Sequence, residues 1–364
     1  MYYLAQDCAE GKQRSRWHMK MVSIIIPCRN EEKYIGKCID SIIVQDYPKD
    51  RLEILFVDGI SDDGTREILE TYIQEYPFVR LLDNPRKIVS TALNIGIKSA
   101  QGDIIVRMDV HTEYAPDYVT RCLQVLEQTG ADNVGGPWVP KGKPYLQKAI
   151  SIAFQSSFSS GDAGSHDVQH EGLVDSVYLG CWEKLTLEKI GLFDEELVRN
   201  QDDELNLRFI RSGGKIWQSP EIKSWYYPRT SIVALFKQYI QYGYWKVRVI
   251  QKHKIPASIR HIVPGMFVGL LVILAVLSPF SQLSLKILAG LLLFYGAANS
   301  GASLLACKEP SKWKYIPVMP IIFSAYHFGY GYGFLRGILD FVVLKKQAGS
   351  TFTKLTRDEK INTK

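Results

Sequence analysis

Val22-Ser-Ile-Ile-Ile-Pro-Cys-Arg-Asn-Glu-Glu32 decides the fold: an apolar, largely β-branched run closed by a proline and then by a polar cluster. Such a run predicts a buried strand that feeds a loop. Ile54 to Asp58, Val79 to Leu82 and Ile104 to Asp109 repeat the pattern, and the first three runs are each followed by a polar segment and a helical period. Strands alternating with helices predict a parallel sheet covered on both faces, in which ligands bind beyond the carboxyl ends of the strands. The residues at those ends therefore carry the functional question.

Pro27-Cys28-Arg29-Asn30-Glu31 follows the first strand, Asp58-Gly59-Ile60-Ser61-Asp62-Asp63-Gly64-Thr65 the second, and Asp109-Val110-His111 the fourth. Helix capping and turn chemistry suit Asn30 and the Ser61–Asp63 cluster equally well. Asp58 is harder to assign to a turn, because it ends an apolar strand and needs a partner, such as a nucleobase N–H or a ribose hydroxyl. Asp109 and His111, two apart in extended chain, face one side and form a candidate divalent-cation clasp, with a surface turn as the other reading of the spacing. Oxygen donors suit Mg²⁺ or Mn²⁺, and the imidazole favours Mn²⁺.

Further along, Arg199-Asn-Gln-Asp-Asp-Glu-Leu-Asn-Leu-Arg-Phe209 places Asp202, Asp203 and Glu204 at the entrance of a helical period. Carboxylates there gain about 0.3–1 kcal/mol from the helix dipole, so capping is one reading and acid–base chemistry the other. Arg208 stands at i,i+4 from Glu204, the spacing of a helical ion pair.

Taken in order, VSIIIPCRNEE, VDGISDDGT, NIGIKSAQGDIIVRMDVH and GLFDEELVRNQDDELNLRF resemble inverting family 2 glycosyltransferases of GT-A fold over about Met21 to Pro228. YYPRTSI and KQYIQYGYWKVRVI look like the membrane-anchored, succinoglycan-type members. The resemblance implies a mostly parallel, Rossmann-like catalytic domain and a nucleotide-diphosphate sugar donor, with a UDP-sugar expected. It implies that Pro27, Asn30, Glu31, Asp58 and Asp109 line the donor pocket, that Asp109 and His111 hold a Mn²⁺ or Mg²⁺ ion, and that Asp203 is the general base. Most of the superfamily carries a second Asp where His111 stands. Asp202, Glu204 and Arg208 take supporting roles. Gly180, Cys181 and Trp182 are implied near donor and acceptor sugars, with core packing as the alternative for Trp182. Gln155 to Asp175, rich in Ser and Gly, reads as an acceptor-site loop rather than as a zinc site at His166 and His170.

Beyond the catalytic domain the composition changes. Ile262 to Phe280 and Leu283 to Cys307 are long enough to span a bilayer, and Ile316 to Leu344 is apolar but carries His327, Arg336 and Asp340. Residues 1–20 read as a basic leader, 21–230 as the catalytic domain, 231–257 as an amphipathic interfacial helix, 258–345 as a membrane region of two or three spans, and 346–364 as a basic tail. Gln241 to Trp245 partly matches the QxxRW motif of processive synthases, with Tyr244 in place of Arg, and Trp245 is a candidate cap for the acceptor site. Between Ile222 and His261 stand eight Lys or Arg and no Asp or Glu, which predicts a multi-pass protein of the cytoplasmic membrane whose catalytic domain faces the cytoplasm.

The net charge of +6 sits mostly in these membrane-proximal residues and favours anionic lipids. Nucleic acid is set aside because no recognition module accompanies the charge. The six cysteines lack CxxC spacing, as expected of reduced thiols. The expected function is transfer of one sugar to a polyprenyl-linked saccharide in surface or exopolysaccharide synthesis. The alternatives are a polyprenyl-phosphate transferase, a processive synthase and a non-catalytic nucleotide-sugar-binding scaffold.

Overall fold

The structure, a computed structural model, describes residues 20–161, 164–349 and 352–354. The leader other than Lys20, and the tail beyond Lys354, lie outside them. The chain forms two compact units, Met1–Val139 with Asp167–Tyr226, and Pro140–His166 with Tyr227–Lys364. Residues 140–166, which the sequence places inside the catalytic domain, thus cluster with the C-terminal unit.

The first unit is built on an eight-stranded sheet. Its parallel half follows the predicted runs: β1 (Val22–Cys28), β2 (Leu52–Asp58), β3 (Val79–Asp83) and β4 (Ile104–Arg107), in the order β3-β2-β1-β4. Helices α1 (Ile35–Ile43), α2 (Thr65–Glu75), α3 (Val89–Ser99) and α4 (Tyr118–Thr129) accompany these strands. The apolar residues alternate between two cores, with Ile24, Ile26, Ile54 and Phe56 on one face and Ile25, Leu55 and Val57 on the other. Two-sided burial is why these strands read as continuous apolar runs.

A short ribbon, β5 (Thr112–Tyr114), leaves the sheet edge after β4, and β6 (Asn133–Gly136) returns to the sheet. The chain then enters the other unit through α5 (Tyr145–Phe154) and comes back at β7 (Gly172–Leu173). β8 (Tyr178–Glu183) runs antiparallel between β4 and β6. After α6 (Lys184–Ile190) and α7 (Gln201–Arg211) come β9 (Ile216–Gln218), parallel to β6, and β10 (Ser224–Tyr226), antiparallel to β5. The sheet is mostly parallel on one side and mixed on the other.

In the second unit α8 (Ile232–His253) packs along α11 (Met319–Gly337). The sequence predicts α8 as an interfacial helix; Leu235, Tyr244, Trp245, Val247 and Val249 on it are buried within the unit, while Val233 is exposed. Glycines permit the approach. A Cβ on Gly333 would lie 2.0 Å from the Ile240 carbonyl, and one on Gly243 2.0 Å from the Tyr330 carbonyl.

By contrast α9 (Val263–Leu277) and α10 (Gln282–Ala306) carry the only two helical stretches, among the described residues, long and apolar enough to cross a membrane. Only 22% and 11% of their apolar windows are buried, whereas the core helix of a soluble protein would bury most of its own. These helices are the candidates for membrane association. Five cysteines, Cys28, Cys38, Cys122, Cys181 and Cys307, are buried and unbridged.

Candidate active site

The loops after β1 and β2 are stitched together by short polar side chains. Asn30, held left-handed at φ 55°, accepts from the Asp62 amide while Ser61 Oγ accepts from the Asn30 amide. Thr65 and Asp63 accept in turn from the Glu31 and Glu32 amides. Capping and turn chemistry therefore account for part of the cluster, as the residue types suggest. Pro27 lies in β1, in register with Val57 of β2.

Asp58 sits at the floor of this edge with no exposed surface. Its partners are internal: the Ser61 amide at 3.0 Å, the Ser61 hydroxyl, and the Arg66 guanidinium at 2.8 Å, which also reaches Asp83. The carboxylate at the end of an apolar strand thus finds a cation from its own chain. Arg66 was not singled out, although it stands eight residues downstream in the helix packed beside the strand.

After β4 the chain turns sharply. Asp109 Oδ1 accepts from the His111 amide at 2.8 Å, and the Asp109 amide donates to the Tyr114 hydroxyl at 2.6 Å. The turn brings His111 Nε2 to 2.8 Å from Glu31 Oε1, with the Tyr34 ring edge-on to the imidazole at 4.7 Å. A carboxylate only accepts, so His111 Nε2 is the donor in this contact. Among the described residues no cluster of three His, Cys, Asp or Glu is close enough to enclose a metal by itself.

The acidic helix α7 arrives from the opposite side. Asn94 clamps the preceding loop, donating to the Phe193 carbonyl at 2.9 Å and accepting from its amide at 3.0 Å, while Ser90 donates to the Leu197 carbonyl. Asn200, at φ 60°, turns the chain into the helix so that its first turn presents Asp202, Asp203 and Glu204.

The three carboxylates then separate. Glu204 is buried and pairs with Arg208 at 2.8 Å, as the i,i+4 spacing predicts, and Arg208 also donates to the carbonyls of Ile190 and Leu192. That network fastens α7 to the end of α6. Asp202 pairs with Arg107, whose side chain is only 9% exposed at the end of β4. Asp203 remains half-buried in the first turn between them.

Desolvation raises the Asp202 pKa, Arg107 opposes it, and the nearby charges of Asp203 and Asp109 push it further up. Asp109 likewise acts on Arg107. The Arg107–Asp202 pair joins the first turn of α7 to the end of β4, two residues before Asp109. Arg107 was missed in the sequence, where its signal was plain: an arginine inside an apolar strand requires a buried acid.

Gly180, Cys181 and Trp182 lie on β8 beside β4, with Cys181 in register with Val106 and Trp182 with Ile105. Cys181 and Trp182 are buried on opposite faces of the sheet, and the Trp182 ring packs edge-on to Phe193. Gly180, at φ 135°, is needed because a Cβ would lie 2.4 Å from that ring. The expectation that Trp182 stacks on a sugar is corrected, since it is core. Trp245 is corrected on the same ground within its own unit: its indole is 2% exposed and donates to the Phe352 carbonyl. There too Gln241 donates to the Lys354 carbonyl and Tyr244 to Asp340.

The profile described as Glycosyl transferase family 2 matches residues 23–172. Succinoglycan biosynthesis protein ExoA of Rhizobium meliloti is 29% identical over 322 residues, covering 87% of this chain and 95% of that protein. A dolichyl N-acetyl-alpha-D-glucosaminyl phosphate 3-beta-D-2,3-diacetamido-2,3-dideoxy-beta-D-glucuronosyltransferase of Methanococcus voltae is 31% identical, covering 88% of this chain and 98% of its own. Among solved structures, a mannosyltransferase from Pyrobaculum calidifontis in complex with GDP-Man and Mn²⁺ superposes with a TM-score of 0.56 at 19% identity, covering 92% of this chain and 96% of that one, a likeness of fold.

Proposed function

The chain belongs to glycosyl transferase family 2, and from that premise we propose that it moves one sugar from a nucleotide-diphosphate sugar, a UDP-sugar in the first instance, to a lipid-linked saccharide, with inversion. The observation that carries this reading is the ion pair of Arg107, the last residue of β4 and two before Asp109, with Asp202 on α7, which brings the acidic helix to the sheet edge that Asp109 follows. A sugar hydroxyl is a poor nucleophile. A carboxylate that takes its proton during attack on the anomeric carbon contributes about 10²–10⁴-fold. Asp203, half-buried in the first turn of α7, is assigned that role by its place in the acidic motif that the chain shares in sequence with the family.

A divalent cation fits the donor set beside Asp109. Metal-bound histidines commonly donate their other N–H to a carboxylate, and His111 has that arrangement with Glu31. Asp109 and His111 Nδ1 would hold the ion, which would neutralise charge on the departing diphosphate, with phosphate and water completing its shell. Glu31, expected to touch the nucleotide, acts in this reading by fixing the His111 tautomer. The His at the position of a second Asp then becomes a workable ligand.

The relatives acting in succinoglycan and dolichyl-linked saccharide synthesis support a lipid-linked acceptor. The basic stretch 222–261 supports a multi-pass topology with the first unit on the cytoplasmic side and anionic lipid beside it. The test is turnover by the full chain in native membranes supplied with radiolabelled nucleotide sugars. Asp203→Asn is expected to lose transfer by about 10²–10⁴-fold while nucleotide-sugar binding persists. Retained turnover removes Asp203 from the mechanism.

A further inference from the structure

Within the first unit, a cavity of about 510 Å³ lies apart from every carboxylate assigned above. Its walls come from four stretches of chain: the start of α4, the Pro137–Val139 segment after β6, Val168 and Gln169, and the Pro220–Trp225 segment that ends in β10. We infer that this cavity is a saccharide subsite that holds a neutral di- or trisaccharide portion of the acceptor, an inference that rests on the transferase reading.

The chemistry of the lining supports this occupant. Trp225 supplies an indole of the kind that packs on the C–H face of a pyranose, bordered by Pro137 and Val139. Asp117, Arg121, Glu221 and Lys223 add two negative and two positive charges, so the lining has no net charge to select an ionic ligand. Arg121 pairs with Asp117 at 3.1 Å and with Glu221 at 3.3 Å, so charged donors and acceptors balance within the lining. Fixed polar groups beside an aromatic plane recognise hydroxyls without demanding charge. The volume lies within the range of small-molecule sites and exceeds the needs of a single sugar.

Placement supports it as well. Trp225 pairs with Glu113 across the β5–β10 ribbon, and β5 begins one residue after His111. The cavity and the donor edge therefore share one short structural element. Val168 and Gln169 belong to the Ser- and Gly-rich stretch that the sequence marks as an acceptor loop.

The test uses the full chain in detergent and saturation-transfer NMR with cellobiose, lactose and N,N'-diacetylchitobiose, against a uronic-acid disaccharide as the charged control. At least one neutral disaccharide is expected to bind in preference to the charged one. Trp225→Ala and Arg121→Gln should each weaken that binding at least about tenfold. Binding of UDP-sugars, read by thermal shift, should be unchanged in both variants. Absence of neutral-disaccharide binding, preference for the charged control, or binding insensitive to both variants overturns the inference. If no nucleotide sugar binds while the disaccharide signal and its sensitivity persist, the transferase reading fails and the cavity remains a saccharide site.

Discussion

The charged sheet edge of the first unit and the helix seam of the second solve opposite packing problems. At the edge, buried charges are held by partners: Asp58 by Arg66, Glu204 by Arg208, Arg107 by Asp202. Along the α8–α11 seam, two backbones meet because side chains are missing at Gly243, Gly329, Gly333 and Gly337. Taking atoms away should therefore break the first region, and adding atoms should break the second.

The largest effect is expected at the edge. Arg107 is nearly enclosed, whereas Asp202 keeps 38% of its side chain exposed. Asp202→Leu strands a buried guanidinium and should cost about 3 kcal/mol, the lower end for breaking a buried pair. Arg107→Met leaves a carboxylate that water can still reach, and should cost clearly less. Urea unfolding of the two variants measures the asymmetry. Equal losses would show that Arg107 is solvated as well as Asp202, and would weaken the picture of an edge organised by enclosed charge.

The two regions also differed in how far they could be read from sequence. The parallel half of the sheet was legible because its runs are continuous and buried on both faces, and Asp58, Asp109 and Asp203 stood out at its ends. Partners were not legible, since Arg66, Arg107 and the Glu31–His111 pair meet only through the fold, over separations such as the 95 residues between Arg107 and Asp202. Trp182 was misplaced because a buried strand residue and a sugar platform have the same composition. The glycines of α11 stood out as a composition, but their target, α8, lies some ninety residues away.

An addition test compares two glycines in helices. Ala is ordinarily favoured over Gly in a helix by about 1 kcal/mol. At Gly296 of α10 a Cβ would meet nothing within 4 Å, so Gly296→Ala should be neutral or favourable. At Gly333 the same methyl would meet the Ile240 backbone, and Gly333→Ala should destabilise by about 1–3 kcal/mol. Thermal unfolding in detergent separates them. Equal melting temperatures would mean that α8 and α11 can part at little cost.

The smallest effect sharpens the comparison, because one position of the first unit should gain from losing atoms. Ile60, between Asp58 and Ser61, is a β-branched residue at φ 55°. The left-handed conformation costs such a residue about 1–2 kcal/mol. Its side chain is 39% exposed, so little burial compensates. Glycine accepts this backbone but loses about 0.5–1 kcal/mol through greater freedom when unfolded. Ile60→Gly should therefore stabilise by under about 1 kcal/mol, or about 2 °C in melting temperature for a unit of this size. Strain beside a ligand edge persists when the bound state uses it, so nucleotide binding is the second readout. A variant that melts higher and binds UDP-sugar less tightly would show that the Asp58–Ser61 turn is held in its strained form for the donor. A variant that melts lower would show that Ile60 is retained for packing, and would return this loop to the partner-held behaviour of the rest of the edge.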